Sequence, residues 1–295
     1  MIKILHRSII LLFAMTMGAC GTSSISLSVM KPADITVSQH IKRIAVVNRS
    51  FPSKKTKVEN ILEGVITGEG IGQDRDGSEE CVSGLVDILT RTERFDAIRP
   101  AIELEGTGRE AFPPPLPWEE VERICAESNA DALLLLEVFD SDSKFTHKIV
   151  QEKSKTKEGV EVVRDVSEVT TDVKVTTGWR LYDPKNKRII DEYKTSGGKS
   201  WSSRGSSEED ARNRLPSKRN TVRDCGFIAG NFYAQRISPV PVRVTRSYYV
   251  RKHPSLKKAK NFVRVNDWNG AAEEWKKVLA TGDNKQKGRA AYNMA

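Results

Sequence analysis

Asn129-Ala-Asp-Ala-Leu-Leu-Leu-Leu-Glu-Val-Phe139 is the segment from which the architecture of this chain is best read. Asn129 to Asp131 make a turn into the segment Ala132 to Phe139, in which Ala132 to Val138 is the longest apolar run beyond the N-terminus. It contains Glu137 and falls far short of the roughly 20 apolar residues that cross a bilayer, so it predicts a buried strand. A strand apolar at successive positions has both faces covered, which places it centrally in a sheet. Upstream, Trp118 opens a helix with Val121, Ile124 and Cys125 inward, after the stiff loop Phe112-Pro-Pro-Pro-Leu-Pro117. Ile41 to Val47 is a second strand. Ser78 caps a helix from Glu79 to about Thr92 whose stripe is Val82, Leu85, Val86 and Leu89. Phe95 to Arg99 is a short strand ended by Pro100.

Downstream, Lys144 to Trp201 is extended. Val169, Thr171, Val173, Val175 and Thr177 alternate with polar residues up to Trp179-Arg-Leu-Tyr182, and the turn Asp183-Pro-Lys-Asn186 returns the chain as a strand from Arg188 to Tyr193. Ser206 to about Gln235 reads as helix, with Val222, Ile228, Phe232 and Tyr233 facing the core. Pro239 and Pro241 confine the strand Val242 to Val250 to a sheet edge. After His253-Pro254, a helix capped by Ser255 runs to about Val265 and a second from Trp268 to Ala280. The fold class is therefore α+β, a mixed sheet flanked by helices and followed by a helical segment.

The first residues read as an address. Lys3, His6 and Arg7 precede the apolar run Ser8 to Met17, which stops at Gly18-Ala-Cys20. A basic head, a short hydrophobic middle and a small-residue exit are the parts of a signal peptide. Small residues directly before a cysteine resemble a bacterial lipobox, with Met17 where Leu is usual. Residues 1–19 are then the signal peptide, Cys20 the lipidated residue, 20–252 a lipid-anchored α/β domain and 253–295 the helical segment. Ile25, Leu27 and Val29 alternate with Ser26 and Ser28, a strand that leaves only a short tether after Cys20.

The composition, 38% hydrophobic and 29% charged, is that of a folded globular protein. The net charge of +9, with acidic residues interleaved, reads as a solvated basic surface. For an exported protein anionic lipid, lipopolysaccharide or cell-wall polymer is a better counterpart than nucleic acid. With Cys20 acylated, Cys81, Cys125 and Cys225 remain, an odd number with no CxxC spacing. Cys81 and Cys125 read as buried small hydrophobes, one disulfide is possible, and the spacing does not choose the pair.

Motifs for catalysis are weak. Gly68-Glu-Gly-Ile-Gly72 lacks the third glycine of GxGxxG, and Glu69 would repel phosphate, so it reads as a flexible turn. Gly197-Gly-Lys-Ser200 ends like a Walker A loop, but Tyr193 stands where its first glycine is needed. His6, His40, His147 and His253 share no ligand spacing, so no metal or other cofactor is expected. Glu119-Glu120 and Glu208-Glu-Asp210 sit at helix starts, where they suit the helix dipole.

Asp267-Trp-Asn-Gly-Ala-Ala-Glu-Glu-Trp-Lys-Lys-Val-Leu279, followed by Ala290-Ala-Tyr-Asn-Met-Ala295, resembles a tetratricopeptide repeat, with Ala271, Trp275 and Leu279 where such helices interlock and the next helix just beginning at the end of the chain. The element order is similar to the α/β fold of periplasmic lipoproteins such as the curli secretion channel subunit and the lipoprotein B activator of penicillin-binding proteins. Together with Pro32-Ala-Asp34, Ile41-Lys-Arg-Ile-Ala-Val-Val-Asn48 and the hairpin Trp179 to Ile190, the pattern looks closer to a Bacteroidota lipoprotein family of unknown function with a tetratricopeptide tail. The resemblance implies lipoprotein export, and Gly21 after the cysteine implies the periplasmic face of the outer membrane. Lys153, Lys155, Lys157, Glu158, Arg164 and Asp165 fit a solvated hairpin better than a lipid-facing one. The expected function is a non-enzymatic adaptor that docks other envelope proteins, with Trp268 and Trp275 as the interaction candidates. The competing expectation is a ligand-binding protein or hydrolase with a cleft between Gly68–Gly72 and Asp140–Ser143.

Overall fold

The computed structural model describes residues 21–51, 68–108, 111–155, 157 and 159–295. By its internal contacts the chain divides into two compact units, Pro32–Val240 and the two terminal segments, residues 21–31 with 241–295. The division expected at 252/253 is therefore not the one the contacts draw. The strand after Cys20 and the one after Pro239 pair with each other and group with the C-terminal helices.

In the larger unit five strands form a mixed sheet: β2 (Arg43–Asn48), β3 (Asp96–Ile98), β4 (Ala132–Lys155), β5 (Glu161–Asp183) and β6 (Arg188–Gly205), in the order β3-β2-β4-β5-β6. β2 runs parallel to β3 and β4, and β4, β5 and β6 are antiparallel. Ala132, Leu134 and Leu136 point to one face, where they meet α1 (Gly68–Arg91) and α4 (Lys218–Ile237) through Val82, Leu85, Val222 and Tyr233. Leu133 and Leu135 point to the other, against Val121, Ile124 and Cys125 of α2 (Trp118–Glu127). Each fully buried leucine contributes about 2 kcal/mol of transfer free energy, which is why this run holds the centre.

Three helix expectations change. α1 begins at Gly68, so the glycine stretch expected as a flexible turn forms the helix's first turns. Ser78 caps nothing; its hydroxyl donates to the Arg75 carbonyl at 2.8 Å. The helix expected from Ser206 onward is two, α3 (Glu208–Asn213) and α4, separated at Pro216 and N-capped by Ser207 and Ser217. Ile228 and Phe232, expected inside, are 37% and 61% exposed. The inward face of α4 is instead Val222, Cys225, Gly226, Gly230 and Tyr233. A Cβ on Gly226 or Gly230 would overlap the carbonyls of Gly77 or Cys81, so glycine lets α1 and α4 approach backbone to backbone.

Beyond the core, β4 and β5 continue as a hairpin out to the Lys155–Glu161 pair. On one of its faces Glu168 binds Lys148 and Arg204, both at 2.7 Å, an arrangement suited to water. Among the described residues no helix is long and apolar enough to cross a membrane.

The smaller unit pairs β1 (Thr22–Lys31) with β7 (Val240–Tyr249). Val250 donates its amide to Gly21 at 2.9 Å, and the Ser26 and Thr245 hydroxyls meet at 3.4 Å, so the strands run antiparallel. Three helices follow: α5 (Pro254–Arg264), α6 (Trp268–Thr281) and α7 (Asn284–Met294). His253, not Ser255, caps α5, its Nδ1 accepting from the Ser255 amide at 3.2 Å. α7 is a whole helix where only a beginning was expected. Ala259, Ala271 and Ala290 let the helices approach around Leu256, Val263, Trp275 and Val278. Leu279, expected to interlock, is 36% exposed.

Candidate functional site

Trp268 and Trp275 lie on one side of a groove of about 400 Å³ in the smaller unit. Ile25 and Leu27 of β1, Tyr248 of β7 and Met294 of α7 complete its apolar lining. Their placement follows from periodicity: alternate residues of β1 face the helices, and Trp268 and Trp275, seven apart, share a face of α6. Trp275 is buried with its indole N–H unpaired among the described residues, whereas Trp268 is 39% exposed. The rim is polar, with Asn269, Arg246 and Asn293. Asn293 also fastens α7 to β7, accepting from the Tyr249 amide at 2.7 Å and donating to its carbonyl at 2.8 Å. The side chains of this lining include no carboxylate, thiol or histidine and one hydroxyl, the Tyr248 phenol, so it suits contact with an apolar or aromatic side chain.

The larger unit has a crevice of about 490 Å³ at the carboxyl ends of β2 and β3, the usual ligand position in a parallel sheet. Asn48, Phe51, Arg75, Glu79 and Arg99 line it. Its polar groups bind one another. Asn48 donates to Ser78 Oγ and Glu79 Oε1, both at 3.0 Å, and Arg99 pairs with Glu79 and donates to Ser83 Oγ at 3.1 Å. Ser78 and Ser83 donate their hydroxyls to helix carbonyls at 2.8 Å, so neither is prepared as a nucleophile.

Where a cleft near Gly68–Gly72 and Asp140–Ser143 was expected, Gly68–Gly72 begin α1, and Ser141 donates its hydroxyl to Asp74 of that helix. Burial lifts the Asp74 carboxyl from 3.8 to about 6; the Asp140 charge adds to this, and the Ser141 hydrogen bond and Lys218 oppose it. A carboxyl titrating near neutrality is a recognised mark of acid–base chemistry, and also of plain burial. Among the described residues, no group of three or more His, Cys, Asp or Glu could hold a metal ion.

A buried ionic cluster lies under the proline loop. Glu137 accepts from Arg180, from Arg49 at 3.2 Å and from the Tyr182 hydroxyl at 3.2 Å. Burial pushes the Glu137 carboxyl up, while the two guanidinium groups hold it down. Arg49 and Arg180 also donate to the Pro114 and Pro113 carbonyls at 3.0 and 3.3 Å, and Tyr182 accepts from the Leu116 amide at 3.1 Å. The cluster therefore fastens residues 113–116 to the sheet.

With this geometry in view, a family model matches residues 41–249, well over half of the chain. The chain belongs to the DUF8603 family, a domain of unknown function. A second model of unknown function, DUF6340, matches residues 257–295. The DUF8603 match runs from the start of β2 through β7, and the DUF6340 match takes in most of α5 and the two helices after it. No curated protein matches the chain. Among solved structures it is similar to a point variant of the PelC dodecamer from Paraburkholderia phytofirmans (10% identity, 72% of this chain and 99% of that chain, TM-score 0.26). It is also similar to a neuraminyllactose-binding hemagglutinin homologue from Helicobacter pylori (10% identity, 70% of this chain and 88% of that chain, TM-score 0.25). Scores this low assign neither fold nor function.

Of the residues singled out from sequence in this DUF8603 protein, Trp268 and Trp275 come together in one groove. Cys20 and residues 1–19, expected as a signal peptide, lie outside the described residues. Cys81, Cys125 and Cys225 are free and buried, so none of them is bonded to another. His40 meets Asp183 at 3.2 Å, His147 meets Glu208 at 3.3 Å, and His253 is a cap. Sequence reading missed Asp74 and the Arg49–Glu137–Arg180 cluster. For the cluster a signal existed: a lone Glu inside an apolar strand requires a partner.

Proposed function

We propose that this protein is a non-enzymatic lipoprotein of the bacterial envelope, acylated at Cys20, held at the periplasmic face of the outer membrane and acting as an adaptor that docks other envelope proteins. The observation that carries the docking part is the groove in which half-exposed Trp268 and buried Trp275 stand opposite Ile25, Leu27 and Tyr248. Aromatic anchors beside a polar rim are the anatomy of an interaction hot spot, where truncating one residue removes about 2 kcal/mol or more of binding free energy. The anchoring part rests on Gly18-Ala-Cys20 behind a short apolar run. The tetratricopeptide-like character of α5 to α7, and the Bacteroidota lipoprotein kinship, belong to the same reading.

A second reading, an envelope ligand-binding protein or hydrolase, is favoured by one observation, the Asp74 carboxyl titrating near 6 beside Ser141. In-cell photocrosslinking from position 268 separates the two. The adaptor reading expects discrete crosslinks to envelope proteins, lost with Trp275→Ala and with displacement from the membrane by Cys20→Ser. Absence of any crosslinked protein, together with saturable binding of a small molecule abolished by Asp74→Asn, would reverse the order.

A further inference from the structure

The positive charge of this chain is segregated. Residues 241–295 hold thirteen Lys and Arg against four Asp and Glu, a formal +9. That equals the net charge of the whole chain, so residues 1–240 sum to zero.

Part of this charge is gathered into one basin of about 670 Å³, lined by Arg251, Lys252 and His253 before α5 and by Lys257, Lys260 and Arg264 on it. The last three recur at spacings of three and four and so share one helix face. Leu256, Ala259 and Val263, at the same spacing, form the buried face behind them. Among the described residues Lys252, Lys257, Lys260 and Arg264 have no carboxylate partner, whereas Lys258, off the stripe, binds Glu274 at 2.8 Å. Unneutralised cations in a row on a helix whose other face is packed make a surface for a plane of negative charge.

The second observation is where the chain enters this unit. The Gly21 carbonyl accepts from the Val250 amide at 2.9 Å, and a methyl on Gly21 would touch the Cβ of Arg251 at 4.0 Å. In sequence, Gly21 directly follows Cys20. The near end of the basin thus lies beside Gly21, within a Debye length of about 8 Å at physiological ionic strength.

We propose that the basic face formed by Arg251, Lys252 and the Lys257–Lys260–Arg264 stripe of α5 docks on the anionic phospholipid headgroups of the bilayer that holds the acyl group of Cys20. The proposal rests on the anchoring reading above. It adds that the protein lies against the membrane with this face down.

The test is cosedimentation of the mature chain, residues 20–295 carrying Cys20→Ser, with vesicles of phosphatidylcholine alone or mixed with phosphatidylglycerol. Binding is expected to the mixed vesicles only, and to weaken with salt. Each basic residue at the surface contributes about fivefold. Neutralising Lys252, Lys257, Lys260 and Arg264 to Gln together should therefore weaken binding by several hundredfold. Changing the three lysines to Arg should preserve it. Should the fourfold variant melt early, the pair Lys257→Gln and Lys260→Gln carries the test with a loss of about 25-fold. An equal loss on neutralising Arg243, Lys276, Lys285 and Lys287, the same charge change outside the basin, would overturn the proposal. So would no binding to mixed vesicles at low salt, or full displacement by low inorganic phosphate, which would mark a soluble-anion site. Palmitate labelling in cells reads the anchor separately. Labelling at Cys20 without vesicle binding sinks the basin alone, and vesicle binding without labelling retires the anchor and leaves the basin.

Discussion

Replacing Asp74 by Asn should stabilise the larger unit at neutral pH, and the size of the effect follows from its surroundings. The carboxyl titrates near 6 instead of 3.8, chiefly through burial. Two pK units correspond to about 3 kcal/mol, an upper bound because Lys218 and solvent can adjust. The sign follows from linkage. A folded-state pKa above the unfolded one means that the folded form holds the proton more tightly. Its contribution is therefore fully present below about pH 4 and lost as pH climbs through about 6. Asn has no proton to lose, and its Oδ1 can still accept from the Ser141 hydroxyl. Urea unfolding of wild type and Asp74→Asn across this range should give equal midpoints in acid. The curves should then separate, until the variant leads by up to about 3 kcal/mol at neutrality. Curves that stay parallel from acid to neutral pH would refute the assignment of a buried, reluctant carboxylate at Asp74. A variant that matches wild type in acid but becomes the less stable one as pH climbs through about 6 would show instead that Asp74 is needed ionised.

Other outcomes follow from the packing. Arg180→Met leaves Glu137 buried with a partner missing and should destabilise by about 3–5 kcal/mol; adding Glu137→Met should recover part of that, and a double variant no more stable than the single one would dissolve the pairing argument. Gly230→Ala drives a Cβ into the Cys81 carbonyl and should cost more than about 2 kcal/mol, while Gly288→Ala in α7, with open space around it, should gain up to about 1 kcal/mol; thermal melts of the two variants give the comparison. Residues 32–240, excised, should unfold cooperatively on their own; broad, non-cooperative melting would contradict the division of the chain into two units.

The centre of the fold was legible because burial on both faces leaves an unmistakable trace. Ala132 to Leu136 and Ile44 to Val47 read as strands and are strands, and Val169, Val173 and Val175 alternate inward as their spacing predicts. Legibility failed where glycine carried the packing. Ile228 and Phe232 are large and apolar, so they looked like the core side of α4, but the inward side belongs to Gly226 and Gly230 because α1 comes too close for any Cβ. Hydrophobicity does not register a contact made of backbone. Gly68–Gly72 misled for another reason: glycine's poor helix propensity suggested a loop, yet these residues form the first turns of α1. For the site, the two tryptophans named as interaction candidates share a groove, Trp275 buried and Trp268 half-exposed. Their strand partners Ile25 and Leu27 lie some 240 residues earlier, and no local pattern connects them. The charge segregation was fully present in the sequence; interleaved acids over the chain as a whole masked a C-terminal segment in which basic residues outnumber acidic ones thirteen to four.

The insertion of one unit within the other has a physical consequence. β1 and β7 are separated by about 200 residues, and closing a flexible loop of that length would cost about 3 kcal/mol more than closing one of about eight. The larger unit removes most of this penalty by itself, because the Ile35 amide donates to the Arg236 carbonyl at 3.1 Å and so holds the two chain ends of the unit side by side. Once residues 32–240 have folded, β1 and β7 emerge as neighbours, and the groove, to which both contribute, can form. The dependence runs in one direction. A variant that unfolds the larger unit, such as Arg180→Met at elevated temperature, should also expose Trp268 and Trp275, whereas Trp275→Ala should leave the melting of residues 32–240 in place. Loss of tryptophan burial in the smaller unit ahead of the larger unit's transition is compatible with this order. Its persistence after the Ile35–Arg236 closure has opened would mean that the smaller unit holds itself together and owes nothing to the loop.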